Sequence, residues 1–115
     1  MAQGYEKLLE EIEARVPHLE PGDLPGLEAD GALIVDVRRP EEYAQGHIPG
    51  AVNLARDKLE AQIEEHLERP HQPVVVYCGG RGRSTLAGWA LAEMGVNVRV
   101  LHGGLAAWKA RQEKT

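Results

Sequence analysis

The chain is organised around one stretch, Val74-Val75-Val76-Tyr77-Cys78-Gly79-Gly80-Arg81-Gly82-Arg83-Ser84. Its β-branched and aromatic start predicts a buried strand, which delivers the only cysteine of the chain. The cysteine enters a loop with three glycines and two arginines, and apolar periodicity from Ser84 or Thr85 onward predicts a helix after the loop. Loop amides, the positive end of a helix dipole and cationic side chains all favour a thiolate over a thiol. The stretch therefore predicts that Cys78 is a nucleophile.

Length and composition limit the class of protein. A chain of 115 residues fits one domain with one core, and 43% hydrophobic with 27% charged residues excludes disordered and collagen-like classes. The net charge of −5 argues against a general nucleic-acid-binding surface, so we expect no nucleic-acid partner. A single cysteine forms no internal disulfide, and no signal-peptide pattern opens the chain, which together predict a cytoplasmic location. Apolar runs fall far short of the roughly 20 residues of a membrane helix, so we expect no membrane association.

Strand-like and helix-like segments alternate along the chain. Strands are predicted at five places: His18-Leu19, residues 32–37, residues 51–54, residues 74–77 and residues 96–101. Segments of helical periodicity lie between most of them, and Trp89 and Met94 are predicted to pack in the core or between helices. This pattern predicts a three-layer α/β domain whose central sheet is mostly parallel and has about five strands.

The N-terminal segment predicts an amphipathic helix. Apolar residues recur at helical spacing before Pro17, at Tyr5, Leu8, Leu9, Ile12 and Val16. We expect residues 1–17 to pack over one end of the same domain, and residues 18–113 to form the α/β domain proper.

A second candidate group lies at the carboxyl end of the predicted strand 32–37. Asp36 and Arg38 stand there, and in open α/β sheets the functional crevice lies beyond the carboxyl ends of the strands. Because buried charges are generally paired for structural reasons, we expect Asp36 to accept hydrogen bonds from loop amides and Arg38 to pair with a nearby carboxylate. Both are therefore predicted to support the site from behind rather than to react.

The histidines carry little chemical signal. His18, His47, His66, His71 and His102 show no metal-ligand spacing, so no metal site is predicted. His102 precedes Gly103-Gly104 near the predicted crevice and is a minor candidate for proton transfer.

Three blocks of the sequence resemble the signatures of rhodanese-homology domains. The blocks are Asp36-Val37-Arg38 with Pro40-Glu41-Glu42-Tyr43 and Gly46-His47-Ile48-Pro49-Gly50-Ala51, then Tyr77-Cys78 with its Gly/Arg loop and Ser84, and finally Gly103-Gly104-Leu105-Ala106-Ala107-Trp108. They occur in the order that is usual for the family and cover residues 18 to 111. The chain is identified by this resemblance as a single-domain rhodanese.

The resemblance implies a sulfurtransferase. Cys78 would take a sulfane sulfur from a small sulfur-containing anion such as thiosulfate, hold it as a persulfide and pass it to cyanide, a thiol or a protein acceptor. Gly79, Gly80, Arg81, Gly82, Arg83 and Ser84 would form the loop that binds the substrate, with Arg81 or Arg83 attracting the anion. The chemistry requires no metal and no organic cofactor.

The loop departs from the pattern that is common in the family. Many single-domain members have an arginine just after the cysteine and a glycine three positions after it, whereas this chain has Gly79 and Arg81 there. A positive φ at Arg81 would cost on the order of 1 kcal/mol, which the neighbouring glycines could relieve. The sequence leaves open which arginine faces the substrate.

Two alternative functions remain. Phosphatases and arsenate reductases of the related cysteine-loop type carry an arginine six positions after the cysteine, where this chain has Ser84, with Arg83 one position earlier. The shorter spacing favours a single sulfur atom over a tetrahedral phosphate. A persulfide carrier or docking module, which delivers sulfur only to a partner protein, is the other alternative.

Overall fold

The computed structural model describes residues 3–114. Residues 1 and 2, which begin the predicted N-terminal helical segment, and residue 115 lie outside the described residues. The described chain forms six α-helices and five strands. The helices are α1 (Tyr5–Glu13), α2 (Leu24–Ala29), α3 (Pro40–Ala44), α4 (Leu59–His66), α5 (Gly82–Glu93) and α6 (Gly104–Glu113), and a 3-10 turn spans Pro21–Asp23. The strands are β1 (His18–Leu19), β2 (Leu33–Asp36), β3 (Val52–Asn53), β4 (Val74–Tyr77) and β5 (Val98–Leu101).

All strand pairs in the sheet are parallel, and the order is β1-β5-β4-β2-β3. The predicted three-layer α/β fold with a five-stranded parallel sheet is confirmed. From β2 the chain first adds β3 on one side, and it then crosses to add β4 on the other. The point at which the direction reverses lies between β2 and β4, and ligand crevices of such sheets open beyond the carboxyl ends of the strands there.

The central strand β4 is covered on both faces. Val74 and Val76 pack into a cluster with residues of α1, α4 and α5, including Ile12, Leu59, Ile63 and Leu91. Val75 and Tyr77 pack into a second cluster with residues of α2 and α6, including Leu24 and Leu105. All four strand residues are fully buried. Close packing on both faces holds the end of β4, and hence the residue after it, in one place.

The predicted N-terminal helix forms, but it ends at Glu13, four residues before Pro17. Leu9 and Ile12 are buried and the helix packs against α5, whereas Tyr5 is 57% exposed. Apolar spacing therefore predicted the helix and only part of its buried face.

Trp89 and Met94 are more exposed than predicted. They are 41% and 42% exposed, so the expectation that both pack in the core or between helices is not met. The face of α5 that meets the sheet consists instead of small residues with one leucine, Ala87, Gly88 and Leu91. The large side chains stand away from the sheet because the helix approaches it too closely to leave room for them.

Substitution of Gly88 tests how closely α5 packs on the sheet. A Cβ atom at Gly88 would overlap Val100 Cγ2 and lie 3.1 Å from Val16 Cγ1, and both side chains are stiff because they are β-branched. We expect Gly88→Ala to lower the free energy of unfolding by about 1–2 kcal/mol, since overpacking outweighs the gain of up to about 1 kcal/mol in helix propensity. Urea denaturation measures the change.

Gly26→Ala is the matched control. Gly26 lies in α2, and a Cβ there would have no neighbouring heavy atom within 4 Å. This variant should be as stable as the wild type or slightly more stable. Equal stability of the two variants would contradict the close packing of α5 on β5.

Candidate active site

Cys78 follows β4 directly and lies against the first turn of α5. Cys78 is 2% exposed, and its thiol donates a hydrogen bond to Ser84 Oγ over 3.2 Å. Helix α5 begins at Gly82, two residues before the earliest predicted start, so that only residues 79–81 are non-helical. The loop after Cys78 is therefore short, and the positive end of the α5 dipole lies beside the sulfur.

The loop carbonyls are bound by the N-terminus of α6. Leu105 N donates to Cys78 O over 2.9 Å, and Ala106 N donates to Gly79 O over 3.2 Å. Gly104 has a φ of +59°, and a Cβ on it would lie 2.5 Å from Cys78 O and 2.8 Å from Gly80 O. Only glycine fits at this contact. Gly104 was predicted as a turn residue alone, and its contact with the cysteine loop was missed, although a glycine pair between a strand and a helix is the signal of such an approach.

The loop amides are left without backbone partners. Within the described part of the chain, none of the amides of residues 79 to 84 donates to a backbone carbonyl. The first amides of a helix have no acceptor inside the helix, and the carbonyls of residues 78 and 79 are already bound by α6. The buried Thr85 Oγ1 also lacks a hydrogen-bond partner among the described residues. The segment that follows Cys78 thus carries amides without backbone acceptors, an arrangement that suits an anion.

The loop between β4 and α5 contains no residue with a positive φ. Arg81 has a φ of −136°, so the cost considered for a positive φ at this position does not arise. Gly79, Gly80 and Gly82 do not adopt positive φ either. Arginine is therefore accommodated at position 81 without a left-handed backbone conformation.

Arg81 is turned toward α1. Its guanidinium donates two hydrogen bonds to the Glu13 carboxylate over 2.7 and 2.8 Å, and it also donates to Glu6 Oε2 over 2.8 Å. The hydrogen bonds to Glu13 and Glu6 raise the pKa of Arg81, and the same contact with Arg81 lowers the pKa of Glu13. All three nitrogen atoms of the Arg81 guanidinium thus donate to carboxylates of one helix.

Arg83 lies on the other side of the loop, beside Cys78. Its Nη1 and Nη2 atoms donate to the two Glu42 carboxylate oxygens over 2.6 and 3.1 Å. Nη2 is 4.0 Å from the place a Cβ would take at Gly79, the residue after the cysteine. The hydrogen bond to Glu42 is the main cause that raises the pKa of Arg83, and a negative charge on Cys78 adds to it. Hydrogen bonds from Arg83 and from the Arg39 amide lower the pKa of Glu42 to about 2. Glu42 was not predicted from the sequence to belong to this group.

Asp36 and Arg38 form a buried ion pair at the end of β2. Arg38 Nη2 donates to Asp36 Oδ2 over 2.8 Å and to Gly46 O over 2.6 Å, and the Arg38 amide donates to Asp36 Oδ1 over 2.9 Å. The hydrogen bond to Asp36 raises the pKa of Arg38. These contacts are the amide and carboxylate contacts expected from the sequence, and each residue proves to be the other's partner. Their supporting role in the site stays a prediction.

His102 faces the edge strand rather than the cysteine. Its Nδ1 atom lies 2.8 Å from Glu20 Oε2, and the side chain is 67% exposed. No group of three or more His, Cys, Asp or Glu side chains in residues 3–114 is arranged to hold a metal ion. None of the helices in that range combines the length and apolar character needed to cross a bilayer.

Comparisons with known proteins concern the family and the fold of the chain. A family model described as rhodanese-like domain matches residues 22–111. The thiosulfate sulfurtransferase GlpE of Pseudomonas entomophila is 29% identical over 92 residues, which cover 80% of this chain and 84% of that protein. A tRNA sulfurtransferase of Desulfurococcus amylolyticus is 38% identical over 84 residues, which cover 73% of this chain and 16% of that protein.

Among solved structures, a protein of unknown function from Rhodopseudomonas palustris, described as a possible tyrosine phosphatase, superposes with a TM-score of 0.81. It is 30% identical, and the match covers 97% of this chain and 93% of that chain. The chain spans a fifth or less of the length of two of the curated relatives that it matches. Because the family model covers most of the sequence and includes Cys78, its loop and Gly104, the chain belongs to the rhodanese-like domain family.

Proposed function

We propose that this chain is a sulfurtransferase that moves a sulfane sulfur from a small anion such as thiosulfate to cyanide or a thiol through a persulfide on Cys78. The observation that carries the proposal is the polarity of the loop. The carbonyls of residues 78 and 79 are held by α6, and the amides of residues 79 to 84 remain without backbone acceptors in the described chain. Donors arranged in this way stabilise negative charge on sulfur before, during and after transfer.

The reaction consists of two displacements at sulfur. In the first, the Cys78 thiolate attacks the outer sulfur of thiosulfate, a new S–S bond forms, and the old S–S bond breaks with its electron pair leaving on sulfite. In the second, the acceptor attacks the terminal sulfur of the persulfide, and the Cys78 thiolate leaves. With cyanide as acceptor the product is thiocyanate. Both steps are balanced without a metal, an oxidant or an organic cofactor.

Arg83 is the arginine that we assign to the anionic donor. It borders the residue after Cys78, whereas the Arg81 guanidinium is engaged by two carboxylates of α1. The single Glu42 carboxylate holds Arg83 by both nitrogens and fixes its direction. Asp36 and Arg38 hold the neighbouring loop through Gly46 O and support the site from behind.

Delivery to a protein is a second use of the same persulfide. The chain corresponds to 16% of the length of the tRNA sulfurtransferase that it matches, which favours a module that works with other polypeptide segments. In this case Cys78 still takes sulfur from thiosulfate to form the persulfide, but cyanide and small thiols remove that sulfur slowly.

Intact mass spectrometry tests the function. After incubation with thiosulfate the protein should gain the mass of one sulfur atom, and cyanide should remove it with release of an equal amount of thiocyanate. Cys78→Ser should neither gain sulfur nor form thiocyanate. A wild-type protein that gains no sulfur contradicts the proposal, and Cys78-dependent hydrolysis of an aryl phosphate would support the phosphatase alternative instead.

Substitution of the two arginines separates their roles. We expect Arg83→Met to raise the KM for thiosulfate on the order of tenfold, because a hydrogen-bonded charge at the site is lost, and to weaken the dependence of KM on ionic strength. Arg81→Met should change this KM by less than about threefold, since its charge is already neutralised by α1. Steady-state kinetics at two salt concentrations measure both effects, and a larger rise for Arg81→Met would reverse the assignment.

The Glu42 carboxylate predicts a pH dependence of stability. Its pKa in the folded protein is about 2, below the ordinary value of 4.5, so the pair stabilises the fold above pH 4.5 and loses this contribution as the pH falls toward 2. The difference in the free energy of unfolding between wild type and Glu42→Gln should therefore shrink between these pH values. Urea denaturation as a function of pH measures it.

Glu41→Gln provides the control, because Glu41 lies on the same helical turn and has only a 3.8 Å contact with Arg39. Its difference from wild type should vary little over the same range. If the two variants show the same pH profile, the Arg83–Glu42 pair does not account for the shifted pKa.

A further inference from the structure

Helix α1 lies outside the residues that match the family, yet it contacts the cysteine loop. The family model matches residues 22–111, and α1 spans Tyr5–Glu13. Its carboxylates Glu6 and Glu13 accept hydrogen bonds from Arg81, the residue three positions after Cys78. Both carboxylates lie on one helix and bind one guanidinium, a geometry that restrains the guanidinium in direction as well as in position.

A chain of hydrogen bonds leads from Arg81 to the sulfur. The Arg81 carbonyl accepts from Ser84 Oγ over 3.1 Å and from Thr85 N over 3.0 Å. Ser84 Oγ in turn accepts from the Cys78 thiol over 3.2 Å. Helix α1 therefore binds the side chain of Arg81. The backbone carbonyl of Arg81 in turn binds the Ser84 hydroxyl, which contacts Cys78.

A second contact joins the start of α1 to the start of α5. The Tyr5 hydroxyl lies so close to Gly82 that a Cβ at Gly82 would overlap it. Gly82 is the first residue of α5, and the loop before it contains Gly79 and Gly80. Because glycine-rich segments lose much conformational entropy when ordered, such a loop gains from an external restraint.

We infer that Glu6 and Glu13 are positioning residues for sulfur transfer, which hold the Cys78 loop closed through Arg81. The inference rests on the proposed function and assigns α1 a part in it. Two carboxylates against one guanidinium leave Arg81 without free positive charge, so its role is that of a tether and not of an anion attractor. The tether maintains the 2% exposure of Cys78 and the alignment of the loop amides.

Release of the tether should have opposite effects on two reactions of the same cysteine. Alkylation by neutral iodoacetamide requires the loop to open, so Glu6→Gln/Glu13→Gln should raise its rate on the order of three- to tenfold, the range that two exposed ion pairs provide. Sulfur transfer requires the closed loop, so kcat for thiosulfate:cyanide transfer should fall while KM changes little. A general loss of folding would also expose Cys78 and lower transfer, so the comparison is made only between proteins that urea denaturation shows to be equally folded.

Salt offers an independent readout. Exposed ion pairs are screened by salt, so the alkylation rate of the wild type should rise between low salt and 1 M sodium chloride at constant pH, on the order of the same factor. Glu6→Gln/Glu13→Gln lacks the pairs, and its rate should stay nearly constant. Arg81→Lys keeps the charge but loses the fork, so its alkylation should be faster than that of the wild type and should still rise with salt.

The experiment compares the full chain with these variants and with Glu10→Gln as matched control. Glu10 is an exposed carboxylate on the same helix, and its ion pair is with Lys7, at 3.8 Å. The control should behave as wild type in alkylation, salt response and kcat. Urea denaturation verifies that each protein is folded, and Glu13→Gln alone makes the same comparison if the double variant is not.

A faster, salt-insensitive alkylation together with a lower kcat in Glu6→Gln/Glu13→Gln supports the tether. Alkylation and salt response equal to those of Glu10→Gln overturn it, and so does faster alkylation with an unchanged kcat. Failure of the proposed function is distinguishable, because wild-type protein would then not load sulfur from thiosulfate, whereas the alkylation comparison requires only the thiol of Cys78.

Discussion

Two hydrogen bonds from the N-terminus of α6 to the carbonyls of Cys78 and Gly79 determine how the site is built. They are possible only because Gly104 has no side chain, since a Cβ there would occupy the space of Cys78 O and Gly80 O. With their carbonyls held on one side, the loop residues keep their amides free for an anion. The last helix of the chain thereby decides the polarity of a loop that lies about 25 residues earlier in the sequence.

The remaining parts of the site follow from the position of β4. Strand β4 is buried on both faces next to β2, so Cys78 and the Asp36–Arg38 pair emerge at the same edge of the sheet. The arginines around the cysteine are all paired with carboxylates: Arg38 pairs with Asp36, Arg83 with Glu42, and Arg81 with Glu6 and Glu13. In a chain with a net charge of −5, such pairing confines the positive charge of these arginines to the vicinity of the cysteine loop. In the proposed function, the two carboxylates on Arg81 and the one on Arg83 distinguish the tethering arginine from the anion-attracting one.

Much of the fold could be predicted because its signals are local. The β-branched runs at β2 and β4 and the turn residues between them predicted the five strands and their alternation with helices. Residues whose environment depends on close packing were predicted less well. Trp89 and Met94 stand exposed, whereas Gly88 brings α5 close to β5, and Gly82, where α5 begins, contacts the Tyr5 hydroxyl of α1. Long-range contacts of this kind leave no periodic trace in the sequence.

The sequence by itself determined that one cysteine leaves a buried strand into a glycine- and arginine-rich loop before a helix, because strand propensity, glycine content and apolar periodicity are properties of neighbouring residues. Only the tertiary structure decided which arginine borders Cys78 and which is turned to α1. Arg81 and Arg83 are two residues apart and chemically identical. Their surroundings differ because Glu6 and Glu13 lie on one side of the loop and Glu42 on the other, and that arrangement exists only after segments far apart in the chain have packed around the sheet.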